Sequence, residues 1–264
     1  MDISSRMFLA KQSKFTQSLA SPFKSSLQQG KQSIDFVLDA IDVVRLHRSY
    51  TYKKLACEKM NRSRMNSVKQ QLNNMSDNIL NYPYLGSRAE RRILSTRLAT
   101  LSQDDEPLAF SKQLVIHGQA IRLLIFCCDS AVLRSINTDD LCMKEYHAQW
   151  QSILDTIDAL TQYRICIGSV IEHGLRNPKL LLGRANNLLN KVKRCQDITD
   201  DSNQNLQQAI HQLEKSTQYL VKDTTLSALR MYQDTSDISN EIIITYKKLI
   251  NHQLNRQYTS RLKA

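Results

Sequence analysis

From Met143 to Ile171 the apolar positions keep a rhythm of alternating threes and fours: Met143, Tyr146, Trp150, Ile153, Ile157, Leu160, Ile167 and Ile171, with Arg164 in the single slot that breaks it. That spacing sets every one of these side chains on one stripe of an α-helix, the seam of a bundle or coiled coil. Similar stripes recur along the chain and no strand-like alternation competes with them. They predict an all-α fold: an elongated antiparallel helical bundle with coiled-coil-like seams and two very long helices.

The first long helix is expected from Ser33, as N-cap with Asp35 in the first turn, to about Leu80, because neither Gly nor Pro interrupts Lys31 to Tyr82. It opens on Phe36, Val37, Ala40, Ile41 and Val44 and closes on Met65, Val68, Leu72, Met75 and Ile79. Arg45, Arg48, Lys53, Lys54, Lys59, Arg62, Arg64 and Lys69 spread around its middle, which predicts a solvated arm. Tyr82-Pro83-Tyr84-Leu85-Gly86 is a turn, and Ser87 with Glu90 forms a capping box for a helix to about Ser102. Asp104-Asp105-Glu106-Pro107 opens the least polar helix, running to about Ile136. Apolar residues cover most of its circumference, so it belongs at the bundle centre. Asn137 to Asp140 turn the chain into the Met143–Ile171 helix, which ends near Gly174. Asn177-Pro178 caps a helix to Cys195, and Asp197 to Asn205 is a polar link. The second long helix runs from about Ser202 to Gln257. Its seam is offset near Thr224–Ala228, the sign of a stutter or of a change of partner. At 1.5 Å per residue, two such rods of about 70 Å would make the molecule elongated.

Residues 1–30 form a separate basic segment ahead of the bundle (31–258), and 259–264 a flexible basic tail. Asp2 is the sole carboxylate in that first segment. On a helical wheel Phe8, Phe15, Leu19 and Phe23 share one side and Arg6, Lys11, Lys14 and Lys24 the other. Such a helix can lie in a membrane interface. The same composition serves targeting segments, or a surface helix packed on the bundle. Pro22 is expected to end or kink it.

Composition agrees with long helices: 6 Gly and 4 Pro in 264 residues lie far below the usual shares of about 7% and 5%. The net charge of +11 attracts acidic partners such as an anionic membrane face, an acidic protein or nucleic acid. The six cysteines contain no C-x-x-C pair and are expected to be reduced, buried and structural. The most apolar window, Leu114 to Cys128, is interrupted by His117 and Arg122 and is too short for a bilayer crossing.

No catalytic motif stands out. Asp197–Asn205 resembles a calcium loop, but Ser202 and Gln208 stand where Gly and Glu are required. The six histidines have no zinc spacing, and His117 is expected to be a hydrogen-bonded core residue. No metal or cofactor is expected. Arg164 is the marked polar residue: a register-fixing charge, or an edge residue whose guanidinium reaches water over its own stem. The membrane or anion-binding candidates are Phe8, Lys11, Lys14, Phe15 and Lys24, with Arg88, Arg91, Arg92 and Arg97, and Arg184, Lys191 and Arg194.

Together these features predict a non-enzymatic helical interaction or scaffold protein, associating with protein partners or itself through helical seams. It would be cytoplasmic and peripheral to an anionic membrane surface. A membrane-active effector or α-helical pore-forming component, with Leu114–Cys128 entering lipid, is a different reading. A nonspecific nucleic-acid binder is a third, weakened by the scarcity of aromatics among the basic runs.

Overall fold

The computed structural model describes the backbone of residues 3–55, 62–103, 109–135, 140–174, 177–199, 204–221 and 228–262. Side chains are described between Gln28 and Arg256, apart from Leu55, 140–142 and Val221. Among these residues there are eight α-helices and no strand: α1 (Ile3–Leu55), α2 (Arg62–Asn78), α3 (Arg88–Ser102), α4 (Phe110–Ser135), α5 (Asp140–His173), α6 (Pro178–Thr199), α7 (Gln204–Val221) and α8 (Ala228–Leu262). A single 3-10 turn, Ile79–Asn81, follows α2. The fold is all-α, and neighbouring helices pack as a bundle.

The helices run up and down. Lys247 reaches Asp42, Arg45 reaches Asn240, Arg48 reaches Ser239, and the Tyr52 hydroxyl donates to the Leu229 carbonyl at 2.9 Å, so α8 runs antiparallel to α1. In the same sense α4 and α5 are tied by Tyr146 to Asp129, Arg122 to Asp158 and Ser111 to Glu172. Helix α4 packs on α1, α3, α5 and α8, and α5 on α4, α6 and α8. The apolar circumference of α4 therefore does place it centrally. The α5 stripe is buried at Tyr146, Trp150, Ile153, Ile157, Leu160 and Ile167, with Met143 and Ile171 half-buried at its ends.

The two very long helices do not have the expected bounds: α1 is 53 residues long but begins at Ile3 and does not continue to Leu80. Phe36 stacks on Tyr82 with ring centroids 4.3 Å apart, whereas one straight helix would hold them about 70 Å apart. The chain doubles back between Leu55 and Arg62, and α2 packs along α1. Likewise Ser216 Oγ donates to Asp234 at 2.6 Å, where a continuous helix would separate them by about 27 Å. Helix α8 therefore packs back along α7, and the seam offset expected from Thr224 lies outside the described residues up to Ser227. The lack of Gly and Pro permits a rod but does not enforce one. Folding each segment on itself buries seams that a rod would leave in water, and packing outweighs local propensity in setting helix ends.

The start of the chain also departs from expectation. Helix α1 continues through Pro22 and Gly30 without a new start at Ser33. Ser33 is no cap: its hydroxyl donates back to the Gln29 carbonyl at 2.8 Å. Gly30 lies where α1 meets α4 closely; a Cβ there would sit 2.0 Å from Ser135 Oγ. Other local signals hold. Ser87 and Glu90 form both halves of the capping box, and Asn177 Oδ1 accepts from the Leu180 amide at 3.0 Å. The expected turns at 104–107 and 137–139, and Ser202 of the calcium-like loop, lie outside the described residues.

Candidate functional site

The interior where α1, α4, α5 and α8 meet is polar, although apolar stripes surround it. On α1, the rhythm of Ile34, Val37, Ile41 and Val44 continues onto Arg48 and Thr51, so helical geometry carries these polar side chains inward. Arg48 and His47 are buried and Arg45 is half-buried, which corrects the solvated-arm reading for this stretch. Lys53, Lys54, Arg62 and Arg64 are exposed as expected.

His47 Nδ1 lies 2.9 Å from His117 Nε2, and His117 Nδ1 lies 2.6 Å from the Gln113 carbonyl. A carbonyl only accepts, so His117 Nδ1 carries a proton. With that ring neutral, Nε2 is the acceptor, and the proton between the rings belongs to His47 Nδ1. His47 Nε2 is buried with no partner. Both rings are held neutral. Burial and then Lys69 of α2 lower His47 to about 4. Burial, then His47 itself, push His117 well below its ordinary value, with Arg48 and Arg164 adding to the effect against the Gln113 bond. His117 is the hydrogen-bonded core residue expected of it. Its partner, 70 positions away, had no sequence signal as a pair.

Arg164 corrects the edge reading. It is 2% exposed, so its guanidinium does not reach water. Nε donates to Thr235 Oγ1 and Nη2 to the Thr235 carbonyl, both at 2.8 Å, fastening α5 to α8. Its guanidinium carbon lies 5.5 Å from the Tyr232 ring centre. Burial and then Arg48 lower its pKa well below the ordinary value, and burial and then Arg48 take Arg45 down to about 10. A guanidinium nevertheless stays charged at neutral pH. Three cations thus share one interior. Among the described residues the ion pair seen with them joins Arg45 to Asp42 at 3.6 Å, and Asp42 is itself half-exposed and also engaged by Lys247.

The other sequence candidates do not form one surface. Helix α3 packs on α2, the 3-10 turn and α4, while α6 packs on α5 and α7, so their arginines occupy different flanks. Arg91 donates to the carbonyls of Pro83 and Gly86, and Arg134 joins it there, so Arg91 clamps the turn. Arg97 is engaged by Gln119, Arg184 by the Cys166 thiol and Lys191 by Asp155 at 2.7 Å. Arg88, Arg92 and Arg194 are exposed. The side chains of Phe8, Lys11, Lys14, Phe15 and Lys24 lie outside the described ones. The large exposed apolar residues Leu46, Leu80, Ile93, Leu180, Tyr219 and Ile244 are scattered over several helices, an ordinary surface distribution.

Cys127, Cys128 and Cys195 are buried reduced thiols and Cys166 is half-buried, and burial raises Cys127 and Cys128 to about 12. Such thiols are poor nucleophiles and poor metal ligands. Among the described residues no group of three or more His, Cys, Asp or Glu is gathered as a metal site. An open cavity of about 350 Å³ between α5, α6 and α8 mixes Glu145, Lys248, His252 and Arg256 with the amides of Gln149 and Gln253. No family model, curated protein or solved structure matches the chain.

Proposed function

We propose that the protein is a non-enzymatic helical scaffold that docks on anionic membrane surfaces through the N-terminal half of α1. The observation that supports this is the continuity of α1. Its backbone is helical from Ile3 to Leu55, the condition the amphipathic wheel of Phe8, Phe15, Leu19 and Phe23 against Lys11, Lys14 and Lys24 requires. The same helix is held in the core from Gly30 onward by α2, α4 and α8. A foot of this kind combines apolar insertion with about 1 kcal/mol per basic residue near an anionic surface. Arg88, Arg92 and Arg194, on separate flanks, add charge but no second foot. The bundle behind the foot is free to meet a protein partner or a second copy.

Helix α4 is long and apolar enough to span a bilayer, but 56% of its apolar window is buried inside the bundle. Its withdrawal would strand the histidine and arginine layer. The pore reading is therefore the less favoured.

Co-sedimentation with phosphatidylserine-containing vesicles tests the proposal. The full chain is expected to bind at least tenfold better to these than to neutral phosphatidylcholine vesicles, without releasing a trapped dye. A chain lacking residues 1–24 should lose the difference. Equal binding by both chains removes the N-terminal foot, and dye release favours the pore reading instead.

A further inference from the structure

Buried Arg48 and Arg164 and half-buried Arg45 line a small cavity between α1, α4, α5 and α8. Its walls are Arg45, Arg48 and Arg164, the hydroxyl-bearing Ser239 and Thr161, and otherwise isoleucine and leucine side chains. The cavity measures about 10 Å³, room for roughly one water molecule. No carboxylate is among the lining residues.

That arrangement is unbalanced. Buried cations are tolerated when paired and fully hydrogen-bonded. Arg164 spends two donors on Thr235, Arg48 gives one to Ser239 at 3.2 Å, and Arg45 leans outward to Asp42 and Asn240. Those partners are neutral except for the half-exposed Asp42. Arg45 Nε is buried without a partner. Arg45 stands in the unfavourable field of Arg48, and Arg164 in that of Arg48 and Arg45. Neutral partners satisfy donors but do not cancel charge. A phosphate is far larger than this cavity, whereas a chloride ion is modestly larger than water and needs the arginine side chains to draw back only slightly.

We propose that this cavity is a halide site, in which one chloride ion sits among the guanidinium groups of Arg45, Arg48 and Arg164. The ion supplies the missing negative charge to all three at once and accepts the donors that the neutral partners leave over. It also couples α1 to α5, so chloride is a structural ligand of the layer on which the docking helix is anchored. The site is independent of membrane binding and can be tested without lipid.

Two measurements on the full chain decide it. Thermal unfolding at constant ionic strength is followed as sodium gluconate is replaced by sodium chloride. The melting temperature should rise by about 5 °C and saturate, as for a ligand bound only by the folded state. The Arg164→Met variant should lose that dependence. Crystals soaked in sodium bromide should show one anomalous peak in contact with the arginine nitrogens, and this readout needs no variant to fold. The proposal is overturned by equal melting in the two salts, by a chloride effect that survives in Arg164→Met, or by a cavity without bromide. Stabilisation by sulfate and not by chloride also overturns it, since that requires a larger site than the one described.

Discussion

The bundle is expected to weaken steeply as the pH falls from 6.5 towards 4, with His47 alone accounting for about 3 kcal/mol by the end of that range. The sign follows from the direction of the shift. In the unfolded chain a histidine takes up its proton near pH 6.5, while in the fold His47 resists until about 4. The unfolded state therefore binds more protons between those values. The stability contribution is complete above the unfolded value and is lost as the pH falls. His117 is displaced in the same direction and adds to the loss. The cations that face the pair favour the neutral form, and the Gln113 carbonyl opposes them on His117 while fixing its tautomer. Lys69 comes from α2, Arg48 from α1, Arg164 from α5, and the Gln113 carbonyl takes the one proton His117 offers. Urea unfolding at several pH values between 7.5 and 4.5 checks this. The slope should approach about 1.4 kcal/mol per pH unit for each histidine, and His47→Gln should remove about half of it. A flat profile between pH 7 and pH 5 would mean that the rings are not buried together.

The second large effect is expected at Gly118, where α4 and α5 approach most tightly at the centre of the bundle. A Cβ built there meets Thr161 Cγ2 at 2.3 Å, Oγ1 at 3.1 Å and Cβ at 3.3 Å. Alanine would ordinarily stabilise a helix interior by about 1 kcal/mol over glycine. Here overpacking costs about 1–3 kcal/mol, so Gly118→Ala should destabilise, and Gly118→Leu should cost more than 3 kcal/mol. Thr161→Ala removes the two nearest atoms. In the double variant the helix propensity gain should reappear, giving a coupling of about 1–2 kcal/mol between the sites in a double-mutant cycle. Additive effects would show that α4 and α5 are not in this register.

Most of the helical architecture could be read from spacing because burial acts on stripes. The α5 seam, the capping box at Ser87 and the cap at Asn177 are local patterns, and local chemistry enforces them. The return of α2 along α1 and of α8 along α7 was missed for a different reason. A hairpin between helices is decided by what the two arms bury against each other, not by a helix-breaking residue, and neither connecting segment, 56–61 or 222–227, contains Gly or Pro. The start of α1 was misplaced because Ser33 has a cap's chemistry but bonds backwards within the helix.

The polar layer was half legible. Arg164 stood out as the one break in a regular seam, yet its surroundings could not be seen, and the wetter reading of it was wrong. Arg48 was hidden by its basic neighbours, although it occupies the next turn of the Ile34–Val44 stripe. His47 and His117 could not be paired from sequence, because their contact is made by the docking of α1 on α4. Conversely, the basic runs on α3 and α6 were conspicuous in sequence but scatter in space, and Arg91, Arg97 and Lys191 are occupied by partners within the fold.

Hydrogen exchange on the full chain, with and without phosphatidylserine-containing vesicles, tests membrane docking through α1 most directly. Lipid should slow exchange in residues 3–24 and leave the amides of α4 as protected as they are in solution. Unchanged exchange across residues 3–24, or loss of protection along Phe110–Ser135, would contradict the account.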